Sequence, residues 1–142
     1  MNDRFGSPQL VGTFYTDETY SQNHAHMVHK HEKVLELLYI ASGEGRYQVG
    51  HREYVVHAGN LIICNGNTLH GESPFQKHTM QTYCIALAGV QLQNLSPHCI
   101  IQPQQRPVLE LTESDEVIHH LMQTVHTLFL EKPCDAELSA SD

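Results

Sequence analysis

Between residues 34 and 88 the chain is cut into short apolar runs by turn residues, and this punctuation limits the possible folds more than any other feature. The run 35–41 ends at Ser42-Gly43-Glu44-Gly45, and the alternating stretch 46–49 stops at Gly50-His51. Residues 53–57 stop at Ala58-Gly59-Asn60, and 61–64 stop at Asn65-Gly66-Asn67. After a loop holding Gly71 and Pro74, the pattern resumes over 79–88. Runs this short, bounded by Gly and Asn, suit strands rather than helices, and their close spacing predicts an all-β sandwich or barrel. Tyr39, Tyr47, Tyr54 and Tyr83 lie in these runs, either lining a pocket or as ordinary strand tyrosines. The sequence leaves their facing open.

Past this block the pattern changes. Residues 91–107 are rich in Gln, Pro and Asn and predict an irregular connection. Val117, Ile118, Leu121, Met122, Val125, Leu128 and Phe129 then recur at helical spacing, so 114–131 is expected as an amphipathic helix. Thr112 with Asp115 three residues later has the form of a capping box, and Pro133 is placed to end the helix. The expected organisation is a β-barrel with an N-terminal arm over 1–107, then a helix and tail over 108–142. The apolar stripe either packs on the barrel or pairs with a second copy of the chain.

At 142 residues the chain suits one domain, and 40% hydrophobic with 17% charged residues is an ordinary globular balance. No apolar run approaches the roughly 20 residues that cross a bilayer, and the first residues lack a signal-peptide pattern. A cytoplasmic protein with no membrane contact is expected. The formal charge is −8, and from Val108 onward eight acidic residues face Lys132 alone. An acidic surface of this kind offers no footprint for a phosphate backbone, so this segment is not expected to touch nucleic acid. Cys64, Cys84, Cys99 and Cys134 form no Cys-x-x-Cys pair, which argues against a zinc ribbon or a dithiol motif. Reduced thiols are expected, with Cys64 and Cys84 as small core residues.

Chemistry concentrates among the 12 histidines. His29 and His31 are two apart, so on a strand both point to one face. Glu36 follows after a gap wide enough for a turn, and His70 lies past the Asn65-Gly66-Asn67 turn. Three imidazoles and a carboxylate form a donor set suited to zinc, iron, manganese or nickel, with positions left open. Without a metal, the same four residues would hydrogen-bond one another and any polar ligand as a pH-sensitive patch. His24 and His26 read as loop residues, His51 and His57 as outward-facing, and His119, His120 and His126 as lying at the polar boundary of the helix.

The pattern resembles the cupin superfamily. His29, His31, Glu36 and Gly43 match the spacing of its first motif, with Asn23 where a Gly is usual. Gly59 and His70 match its second motif, whose Pro-x-Gly turn is replaced here by Asn65-Gly66-Asn67, and whose later Asn is Pro74. Over roughly residues 20–90 the chain also resembles the N-terminal sensing domain of AraC-type transcriptional regulators, on Glu36 to Tyr39, Ser42 to Gly45 and Gly59 to His70. The resemblance implies a double-stranded β-helix, or jelly-roll, barrel that binds a small effector, with following helices that dimerise. In that family DNA is bound by a separate C-terminal domain, which is expected to lie outside this segment.

Two functions follow as expectations. The first is a non-enzymatic effector-sensing and dimerisation domain, with sugar-like molecules among the candidate effectors. His29, His31, Glu36 and His70 would hold the effector directly or through a divalent metal, and the 114–131 helix would form a homodimer. The alternative is a stand-alone metal-dependent cupin enzyme, such as a dioxygenase or sugar isomerase.

Overall fold

The computed structural model describes residues 6–17, 30–31, 33–73 and 80–131. Among these residues, eight strands precede one helix: β1 (Gly6–Thr16), β2 (Val34–Ser42), β3 (Glu44–Val49), β4 (Arg52–His57), β5 (Asn60–Cys64), β6 (His70–Glu72), β7 (Gln81–Val90), β8 (Val108–Glu110) and α1 (Asp115–Glu131). They form a five-stranded sheet in the order β1-β7-β2-β5-β8 and a three-stranded sheet in the order β4-β3-β6. Every pairing is antiparallel. The expected all-β architecture with a C-terminal helix is therefore present.

One core fills the space between the sheets. Leu38 and Ile40 of β2, Ile62 and Cys64 of β5, and Val108 of β8 meet Tyr47 and Val49 of β3 and Val56 of β4 there. Ile40, Val56 and Ile62 are fully shielded, each contributing about 1.5–3 kcal/mol through burial. Strand β2 is apolar on both faces because it is covered on both: the second sheet lies inside it and α1 outside. This explains why 35–41 reads as a continuous run rather than an alternating one.

Most turns fall where Gly and Asn were expected to put them, but Glu44 and Gly45, expected within a turn, already belong to β3 and leave Gly43 alone between β2 and β3. Val49 pairs with Arg52, leaving Gly50-His51 as a two-residue hairpin turn, and Gly50 takes a φ of 64° that favours glycine there. Strand β8 falls just past the expected boundary at 107/108. It pairs with β5 through Val108 with Ile62 and Asn60 with Glu110, so the five-stranded sheet runs on beyond the irregular connection.

Helix α1 divides its apolar stripe. Ile118, Met122, Val125 and Phe129 turn towards the sheet, with Met122 buried. Val117, Leu121, Leu128 and Leu130 face outward and are 51–67% exposed. The expected capping box does not form in the described contacts. The first turn begins at Ser114, whose carbonyl accepts from the Ile118 N–H at 2.9 Å. Asp115 accepts instead from the Tyr39 hydroxyl at 2.7 Å.

Register fixes the facing of the tyrosines. Tyr15, Tyr83 and Tyr39 sit side by side across β1, β7 and β2, on the outer face under α1. Tyr47 and Tyr54 oppose each other across β3 and β4 and belong to the interior. Two helix histidines also lie inward of the polar boundary expected for them. The His119 ring lies 5.2 Å from that of Tyr39, and His126 bonds Thr13 Oγ1 at 3.0 Å. His120 is exposed, as are His51 and His57. His57 lies 3.1 Å from Glu110 on that surface.

Candidate functional site

Glu36 is the one charged residue in β2, and strand alternation turns it inward with Leu38 and Ile40. Its Oε1 lies 2.5 Å from His70 Nε2, and its Oε2 accepts from the Cys84 thiol at 3.3 Å. His70 stands at the start of β6 and is 2% exposed. Its Nδ1 faces the Thr68 carbonyl at 2.9 Å; a carbonyl only accepts, so Nδ1 carries a hydrogen. Nε2 stands against the Glu36 carboxylate, and the two side chains form a buried hydrogen-bonded pair. His31 stands at the edge of this pair, Nε2 3.7 Å from the same carboxylate oxygen, with its side chain 47% exposed.

The electrostatics follow from these contacts. Burial alone would push the Glu36 carboxyl upward. The His70 hydrogen bond and charge, the Cys84 thiol and the His31 charge outweigh it and hold the group down at about 2. Around the pair, burial drives both thiols, Cys64 and Cys84, above their usual range, with the Glu36 charge adding to it. Tyr47 is likewise pushed well up, by burial first, then by Cys64, Cys84, Glu36 and Glu72. The interior therefore presents the Glu36 carboxylate among neutral thiol and phenol groups.

The Asn65-Gly66-Asn67 turn positions this site from behind. Asn67 has a φ of 60°, and its N–H donates to the His31 carbonyl at 2.5 Å. Gly66 N–H donates to the His98 carbonyl at 2.8 Å. The Asn65 amide donates to the Ile101 carbonyl and accepts from the Ile100 N–H, pinning the 91–107 connection against the barrel. A Pro at position 65 would offer neither amide bond, which accounts for the departure from the usual motif.

Of the four residues expected at the site, the fold brings His31, Glu36 and His70 together; His29 lies outside the described residues. Cys84 was expected as core packing alone, yet it bonds the carboxylate directly. The signal that identifies it is register: Cys84 opposes Leu38 on the inward face, diagonal to Glu36. Among the described residues, no group of three or more His, Cys, Asp or Glu side chains is placed to hold a metal ion. Two donors each about 2.1 Å from an octahedral ion stand ~3 Å apart, wider than the 2.5 Å contact of His70 with Glu36. As arranged, the described side chains hold one another, and His29, the fourth expected donor, lies outside them.

The chain is 26% identical over 115 residues to the uncharacterized HTH-type transcriptional regulator YdiP of Escherichia coli strain K12. That match covers 81% of this chain and 37% of the relative, so the chain spans little more than a third of the regulator's length. Among solved structures, a cupin protein from Bacteroides fragilis matches with a TM-score of 0.45 and 17% identity, over 63% of this chain and 75% of that one. A cupin 2 conserved barrel domain protein from Rhodopseudomonas palustris matches with a TM-score of 0.40 and 16% identity, over 82% and 74%. The model of the AraC-like ligand binding domain matches residues 11–141. The chain therefore belongs to the AraC-like ligand-binding domain family.

Proposed function

We propose that this domain senses a small polar effector for a transcriptional regulator, binding it inside the barrel against His31, Glu36 and His70. The observation that carries this is the inward Glu36–His70 pair with His31 at its exposed edge. A buried, hydrogen-bonded couple next to an accessible imidazole can exchange its internal bonds for those of a hydroxyl-rich ligand, as a sugar-like effector requires. No reacting group is needed for this role, and the raised thiols and phenol suit recognition better than nucleophilic attack. Family membership and the regulator-type relative support the same reading over an enzyme. Homodimerisation through α1 and DNA contact through another part of the regulator complete the proposal.

The test is a thermal-shift screen of aldopentoses, aldohexoses and polyols against the parent chain, His31→Ala and His70→Gln. A ligand at 100 times its Kd stabilises by about 2.7 kcal/mol, enough to raise Tm by several degrees. Loss of that shift in both variants is expected; a shift that survives in both places the effector elsewhere. Elemental analysis of the same preparations decides between direct and metal-bridged binding. Stoichiometric metal in the parent that is lost in His31→Ala would establish the bridged form.

A further inference from the structure

Strands β2 and β7 each carry the interior site on one face and the seat of α1 on the other. On β2, Glu36 points inward, and Tyr39, three residues on, points outward to donate to Asp115 in the first turn of α1. On β7, Cys84 bonds Glu36 inside, while its neighbour Tyr83 meets the helix outside. Tyr83 lies 6.2 Å from the His119 ring and 5.9 Å from that of His126. Tyr15 completes the row, 4.8 Å from Tyr83 and 6.3 Å from His126. The helix thus rests on directional polar and ring contacts as well as on Met122 and its apolar neighbours. Such contacts depend on where each strand sits and weaken steeply with small misalignment. Aliphatic packing tolerates more sliding.

From this arrangement we infer that the Glu36–His70 pair and the docking of α1 are energetically coupled, with Tyr39–Asp115 as the latch. Opening the pair lets β2 and β7 shift, and the tyrosine row no longer matches the histidines of the helix. Whatever engages Glu36 and His70 from inside would thereby change how firmly α1 is held. By linkage, releasing the helix changes the pair to the same degree. Under the effector reading this gives the route from pocket to helix, but the coupling belongs to the domain itself and needs no effector.

The test is amide hydrogen exchange on the ligand-free domain, comparing the parent with Tyr39→Phe, Glu36→Gln and Cys84→Ala. Tyr39→Phe removes the latch hydroxyl alone and is expected to speed exchange over 115–131. Glu36→Gln and Cys84→Ala alter only the interior face. They are expected to speed exchange in the same helix by at least about fivefold, the lower end of typical coupling between sites, while β3 and β4 keep their protection. Helix exchange unchanged in both interior variants would overturn the coupling, as would acceleration shared equally by β3 and β4. Helix exchange unchanged in Tyr39→Phe would overturn the latch. Since no ligand is used, failure here leaves the effector proposal standing, and failure of the effector screen leaves this one standing.

Discussion

Glu36 shows how one side chain ties stability to pH. Its carboxyl titrates near 4.5 when unfolded and about 2 in the fold, so the folded state binds its proton less readily. A depressed pKa of this sign contributes stability that is complete above about pH 5 and is lost as pH falls towards 2. Urea unfolding of the parent should show this decline between pH 5 and pH 2.5, with Glu36→Gln declining less over the same window. Identical pH slopes in the two chains would show that the pair contributes no such linkage. His70, its partner, was legible in the sequence from motif spacing. Cys84 was not, because a thiol inside a strand reads as packing until the register puts it diagonal to a carboxylate.

At the level of elements, the two faces of α1 make opposite predictions. Leu121 is 51% exposed and in line with Val117 and Leu128, so at concentrations where the chain is monomeric Leu121→Asp should leave unfolding within about 0.5 kcal/mol of the parent. If α1 pairs two copies, the same change should halve the mass measured by sedimentation. An unchanged mass would reject the helix as the dimer contact. The Asn65 turn gives a second prediction. Asn65→Ala removes two hydrogen bonds to Ile100 and Ile101 and leaves both backbone groups to find other partners. A loss of about 1–3 kcal/mol is expected, with faster exchange at the Ile100 amide; no change in either would mean that the turn does not hold the connection. The strands and most turns were readable from Gly50-His51, Ala58-Gly59 and Asn65-Gly66-Asn67, since each is local. The three-residue strands β8 and β6 were not, because nothing within Val108–Glu110 or within His70–Glu72, which was expected as loop around Gly71, signals pairing with β5 or β3. The capping box failed for a related reason. Tyr39 lies 76 positions from Asp115, and no local pattern shows that the carboxylate is already committed.

For the molecule as a whole, the sheet orders decide where the chain must make distant contacts first. No neighbouring pair in the five-stranded sheet is consecutive among the described strands, and β1 with β7 joins Gly6 to Val90. Only β3 with β4 forms a hairpin through a two-residue turn. Closing long loops before their contacts reward the cost is slow, so folding on the millisecond-to-second scale is expected. The hairpin is the cheapest nucleus available. Gly50→Ala, strained by about 1–2 kcal/mol at a φ of 64°, should therefore slow folding and leave unfolding nearly unchanged in stopped-flow chevrons. Tyr39→Phe should do the reverse and mainly hasten unfolding; if the two variants exchange these behaviours, the large sheet forms first. If the hairpin nucleates, the wall that carries Glu36 and seats the helix is the last to be built, so a newly made chain acquires the small sheet before the face that holds α1.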